Sequence, residues 1–258
     1  MVPNTNQFGL PGDENLLLPF ERQVLSADYR HFLRIKRNNT FASIQRLPRQ
    51  WKRFDLIDRV WLREIEDLNK VLDISHVVVV TLFIRGYARV RLTMELVFAG
   101  CTTEAADLLR GAIESVAQAN RIYREPHLVE VWLKRDEDKS SLDAYRNVFE
   151  RAKKTGLFAG LPGLHHYWTQ FSELGHSSAL SVMGRITARE GVPNEVAGDF
   201  QFFETNPQSL TAVMNALFDA VRQMEQVLFD CFYERLNLDV ELVRLRSSLH
   251  QMIGQLPT

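Results

Sequence analysis

The run HVVVVTLFIRGYARVRLTMELVFAG, residues 76 to 100, decides the fold class. Its first five residues read as a strand, because consecutive β-branched valines suit a pleated surface better than a helix. Its whole length reads as a helix. More than twenty residues pass without a proline, and apolar positions continue through Leu92, Met94, Leu96 and Val97. The run then stops at Gly100, a residue suited to a left-handed helix C-cap. Length and stop together outweigh local propensity, and the segment is expected to be a buried helix. The same run contains the most membrane-like stretch of the chain, VVVVTLFI, Val77 to Ile84. It spans only eight residues before Arg85, Arg89 and Arg91 interrupt it, against the roughly 20 apolar residues that a span needs. No membrane helix is expected.

Helical periodicity extends in both directions. On the amino-terminal side, Phe54 to Asp73 repeats Leu56, Ile57, Val60, Trp61, Ile65, Leu68 and Leu72 at helical spacing. A short basic helix from about Glu21 to Arg37, followed by a loop over Asn38 to Arg49, precedes it. Residues 1–20, with Pro3, Pro11 and Pro19, read as an irregular arm. On the carboxy-terminal side, Thr102 or Thr103 is placed to cap a helix that runs to about Glu125. Pro126 opens a shorter helix, and Ser140 or Ser141 starts another that reaches Lys154. Pro162, at a first helical position, starts one more. The interval 177–207 holds Gly184, Gly191, Pro193, Gly198 and Pro207 and reads as a long connection with room for a small hairpin. Helices at about Ser209 to Leu236 and Val240 to Ile253 close the chain. The fold class is all-α: a multi-helix bundle of about eight helices, with residues 21–258 forming one domain.

The composition agrees. The chain has 258 residues, 45% hydrophobic and 24% charged, which suits a globular protein with a substantial core. Cys101 and Cys231 are 130 residues apart in apolar surroundings, with no CxxC and no metal-ligand spacing. They read as buried thiols in a reducing cytosol. With no basic-then-apolar leader in the first twenty residues, the expected location is cytoplasmic. Net charge is −1, unevenly distributed. Phe20 to Arg53 holds nine Lys/Arg against two acids, and Glu190 to Glu241 holds ten acids against two arginines. Three readings follow: the two segments pack on each other within or between subunits, the basic surface is merely solvated, or it meets nucleic acid.

Two stretches carry candidate chemistry. In the helix over Ala105 to His127, Thr103, Asp107, Arg110, Glu114, Gln118, Arg121 and Glu125 fall in one arc under about 90° wide. That arc is either a solvated face laced with charge pairs or one wall of a polar groove. The second stretch is HHYWTQFSELGH, residues 165 to 176. His165, Thr169, Ser172 and His176 share one face, flanked by His166 and Glu173, with Tyr167, Phe171 and Leu174 on the core side. At the helical rise, His165 and His176 stand roughly 16 Å apart, so they cannot share a metal ion. Glu173 and His176 make one Glu-x-x-His, but a di-iron bundle needs a second copy that the chain lacks. No phosphate loop, HExxH or GxSxG occurs. The expectation is therefore no metal and no cofactor.

The run GCTTEAADLLRGAIE, Gly100 to Glu114, followed by FSELGHSS, Phe171 to Ser178, resembles a group of bacterial all-helical proteins without an assigned activity. Those proteins pair a G-x(4)-A-A-x-L-L-R-x(3)-E helix with a later S-x(3)-H helix. The resemblance spans roughly residues 75 to 180 and the long helix that follows. It implies that Arg110, Glu114, Ser172 and His176 meet between two packed helices. Some of these proteins are distantly similar to HEPN domains, helical modules tied to RNA cleavage and to toxin–antitoxin or defence systems. The nearest match to the HEPN Arg–His signature is Arg121 to His127, with Ile122 in the polar place and Pro126 breaking the helix.

The reading is a non-catalytic regulatory or interaction module, a homodimer that binds a protein partner or a small ligand. Its candidate site is Arg110, Glu114, Ser172 and His176, with Arg121, His127, His165 and Glu173 as secondary candidates. The rival is a HEPN-like RNA-acting enzyme, with His176 or His127 as acid/base and Arg110 or Arg121 holding phosphate. A third reading has the basic amino-terminal region binding nucleic acid, with Trp51 and Phe54 available to stack.

Overall fold

A computed structural model describes residues 25–68, 74–151, 156–175, 186–188, 198–200, 203–204 and 206–253. Nine α-helices lie among them: α1 (Ala27–Arg46), α2 (Pro48–Asp67), α3 (Ile74–Ala99), α4 (Thr102–Arg124), α5 (Leu128–Leu133), α6 (Lys139–Tyr145), α7 (Pro162–Gly175), α8 (Pro207–Phe232) and α9 (Val240–Ile253). The fold is an all-α bundle. Within the long connection, β1 (Ile186–Ala188) pairs antiparallel with β2 (Gly198–Phe200), Ile186 opposite Phe200. The amino-terminal arm at 1–20 lies outside the described residues.

The valine run is helical, and its context explains why. Val78, Val79 and Val80 are buried, as are Leu82, Phe83, Val90, Met94, Val97 and Phe98. Burial of that many apolar side chains outweighs the fractions of a kcal/mol by which valine disfavours helix. α3 lies along α4, and Gly86 sets their closeness. A Cβ there would stand 3.1 Å from Val116 Cγ2 and 3.5 Å from the Ala112 carbonyl.

Gly100 ends α3 as expected, at φ +89°. The Cys101 N–H donates to the Leu96 carbonyl at 2.8 Å and the Gly100 N–H to Val97 at 2.9 Å, a Schellman pair. The Glu204 N–H also donates to the Gly100 carbonyl at 2.7 Å, so the end of the long connection seats on this turn. The turn is too short for the threonine cap that the sequence suggested. Cys101 occupies the N-cap position of α4 with no side-chain cap, and Thr102 is already helical.

The amino-terminal boundaries differ further from expectation. α1 continues through Asn38–Thr40 to Arg46, and a single residue, Leu47, separates it from Pro48 at the start of α2. The polar residues that suggested a loop are satisfied inside the helix. Thr40 Oγ1 donates to the Lys36 carbonyl at 2.9 Å, and Asn39 Nδ2 donates to Ala99 across on α3 at 3.4 Å. Beyond α6 the chain widens into a π-helical turn, Arg146–Arg151, that pattern reading merged into one helix.

Trp61, Phe83, Phe98, Ile113 and Phe232 centre one continuous core built from α2, α3, α4 and α8, with Leu242, Leu245 and Leu249 of α9 closing it. A charged staple lies inside. Arg246 of α9 donates through Nη1 to Glu64 Oε1 of α2 at 2.5 Å and to Glu225 Oε1 of α8, and its guanidinium lies 3.4 Å over the Phe229 ring. Both carboxylates are buried. Burial, then the charge of Glu225, pushes the Glu64 carboxyl up to about 10, so Glu64 keeps its proton at neutral pH. The first turns of α2 pack on α8, where Arg53 reaches Asn215 Oδ1 at 3.5 Å and lies over Phe218. Among the described residues no helix is long and apolar enough to cross a membrane.

Candidate functional site

The polar arc of α4 is exposed at Asp107 but partly covered along most of its length. Arg110, Glu114, Gln118 and Arg121 are all half-buried. α7 runs antiparallel along this arc. Trp168 Nε1 donates to Glu114 Oε1 at 2.8 Å, and about two helical turns further Gly175 lies so close to Asp107 that a Cβ would collide with its carboxylate. Ser172 falls between these two contacts, level with Arg110 in register.

Of the group named from sequence, Arg110, Glu114 and Ser172 are among the described residues. Glu114 takes its hydrogen bond from Trp168. The Ser172 hydroxyl donates to the Trp168 carbonyl one turn back in its own helix, at 2.7 Å. His176 lies outside the described residues. His165 joins an aromatic cluster, stacked on Trp168 with centroids 6.2 Å apart and edge-on to Phe158 at 5.2 Å. Glu173 is exposed. Leu174, expected on the core side, is also exposed, and Leu164 with Phe171 makes the buried contact instead. Arg121 pairs with Glu125 at 3.0 Å, while exposed His127 sits beyond Pro126 at the start of α5.

Glu114 also opens onto a second feature that spacing did not show. A polar cavity of about 260 Å³ lies between α3, α4, α5 and α6. α3 contributes Arg85 and Arg89, α4 contributes Gly111, Glu114, Ser115 and Gln118, and Trp132, Arg135 and Tyr145 complete it. All but Arg85 are held by a definable contact. Arg89 Nη1 donates to the Gly111 carbonyl at 2.5 Å and to Ser115 Oγ at 3.5 Å. Only glycine permits this, since a Cβ at position 111 would collide with the guanidinium. Gln118 bridges the far wall. Its Oε1 accepts from Trp132 Nε1 at 3.2 Å, and its Nε2 donates to the Tyr145 hydroxyl at 3.0 Å. The indole can only donate, which fixes the amide's orientation. Arg135 lies 3.9 Å over the Trp132 ring and donates to the Trp132 carbonyl at 2.7 Å.

The electrostatics are one-sided. Burial, then the neighbouring charge of Arg85, lowers the Arg89 guanidinium from its ordinary value, opposed by Glu114. Arginine stays protonated through such a shift. Burial raises the Tyr145 hydroxyl, which keeps its proton. The sequence did carry a signal for this site. Arg85 and Arg89, four apart, are the residues that interrupt the apolar run of α3, and such charges in an apolar helix need a polar place to point. Trp132, near the end of α5, and Arg135, in the 3-10 turn Lys134–Asp136 that follows it, had no such anomaly to mark them.

Compared with known proteins, the chain matches no family, no curated protein and no solved structure.

Proposed function

We propose that this chain is a non-catalytic helical module that binds a small ligand in the cavity between α3, α4, α5 and α6. The observation that carries the reading is the convergence of Arg85, Arg89, Gln118, Arg135 and Tyr145 on one polar space of about 260 Å³. That volume lies near the lower end of ligand pockets, roughly 300–1,000 Å³, and suits a small molecule. The lining residues other than Arg85 are held by hydrogen bonds or ring contacts, so little ordering is left for a ligand to impose. α4 links this cavity through Glu114 to Trp168 and α7, which gives binding a route to the S-x(3)-H helix of the resembled bacterial proteins.

A thermal-shift survey across phosphates, carboxylates, amines and neutral polyols tests the reading, using the full chain and a Gln118→Phe variant that fills the cavity. At least one class is expected to raise the wild-type Tm and to leave the variant unmoved. Equal shifts in both proteins, or no shift with any class, would overturn it.

The module is further proposed to act as a homodimer. An exposed apolar stripe on α3, Val77, Ile84 and Leu92, supports that part of the reading.

A further inference from the structure

Resting on the small-ligand reading above, we infer that the cavity takes a phosphate-bearing small molecule, its phosphoryl group seated among Arg85, Arg89 and Arg135. Donors dominate the lining. Arg89 makes its hydrogen bonds among the described residues through Nη1 alone, which anchors the guanidinium to α4 and leaves its other N–H groups to the cavity. The Tyr145 hydroxyl accepts from Gln118, so its own proton remains to be donated. Arg85 has neither a carboxylate nor a hydrogen-bond partner among the described residues, although it stands one helical turn from Arg89. Two guanidiniums so placed repel each other, and a shared anion relieves that repulsion.

The acceptors present do not supply this anion. Glu114 is the one carboxylate in the lining, and its Oε1 is engaged by the Trp168 indole. Asp136 touches Arg135 Nε at 3.5 Å, but its side chain is 80% exposed and screened by water. Three cations against one lining anion call for a compact ligand of charge near −2. A phosphate monoester carries about −1.5 to −2 at neutral pH and offers three acceptor oxygens. Guanidinium forks match its geometry in pairs. The aromatic rings of Trp132 and Tyr145, both lining the cavity, suit an organic portion beside the phosphoryl group.

Isothermal titration of the full chain at low salt decides the matter, with inorganic phosphate, phenyl phosphate, benzoate and phenol as probes. Binding of either phosphate species at least about tenfold tighter than benzoate, weakened about tenfold or more in Arg85→Gln, is the expected result. Arg85 is exposed, so this variant keeps its fold; Arg244→Gln, another exposed arginine, serves as the control and binds as wild type. Inorganic phosphate alone binding would place the specificity in the anion, and phenyl phosphate binding more tightly would place it in an ester; both support the inference. Phenol or benzoate binding as well as the phosphates overturns the phosphate class while the cavity reading stands. Phosphate binding unchanged in Arg85→Gln overturns the seat. Silence of all four probes overturns the inference, and the thermal-shift survey then decides the cavity reading separately.

Discussion

At neutral pH the Glu64 carboxyl keeps its proton beside Glu225 and the Arg246 guanidinium, inside the core. Replacing Arg246 by methionine leaves two buried carboxyl groups without their cation. The expected cost is about 3–5 kcal/mol, read by urea denaturation. Glu64→Gln behaves differently, because a neutral amide replaces a neutral acid of nearly the same shape. The pH sign follows from the proton. Glu64 is raised from the ordinary value of 4.5 to about 10, so the folded chain keeps a proton that the unfolded chain loses. Its contribution is fully present below pH 4.5 and is lost as pH climbs towards 10. Calorimetric Tm values from pH 5 to 9 are therefore expected to fall more steeply in wild type than in Glu64→Gln. Parallel curves would contradict the assignment of the proton. None of this was legible in the sequence. Glu64 stood among the polar residues placed off the apolar stripe of α2, and only its meeting with elements about 160 and 180 residues later reveals that it faces inward.

Among elements, the junction of α3 and α4 matters most, because it fixes the angle between the helices that line the cavity. Gly100 has positive φ, and a Cβ would stand 2.9 Å from the Glu204 carbonyl. Gly100→Ala combines left-handed strain with that clash, and the expected loss is about 1–3 kcal/mol by chemical denaturation. A neutral effect would mean that the turn relaxes without cost. This junction was readable beforehand, since length, periodicity and a terminal glycine all pointed the same way. The loop expected over Asn38 to Arg49 failed for the opposite reason. Asn38, Asn39 and Thr40 have poor helix propensity, and what keeps them helical is a set of partners, Lys36 in the previous turn and Ala99 on α3, that spacing does not display. The same division runs through the site. The α4 arc was legible as a polar face at helical spacing, and its meeting with a later helix only as what the resemblance implied. That Trp168 donates to Glu114 was not legible, because it depends on the rotation of one helix about its axis.

For the whole molecule, the homodimer proposal predicts a light-scattering mass near twice the 29.8 kDa of one chain, reduced to one chain by Leu92→Glu on the exposed α3 stripe. A wild-type mass of one chain would remove it. Arg53, at the end of the basic segment, meets α8 at Asn215 and Phe218. The central claim concerns the cavity, and the chain carries its own reporters. It has four tryptophans, Trp51, Trp61, Trp132 and Trp168, so nitrogen-15 labelling gives four indole N–H resonances. Trp132 lines the cavity and donates to Gln118, Trp168 touches the cavity residue Glu114, and Trp61 is fully buried in the core. Titration with phenyl phosphate, or with the best compound of the thermal-shift survey, is expected to move the Trp132 indole signal first and the Trp168 signal with it, while Trp61 stays fixed. Saturable binding that leaves Trp132 unmoved would contradict the account.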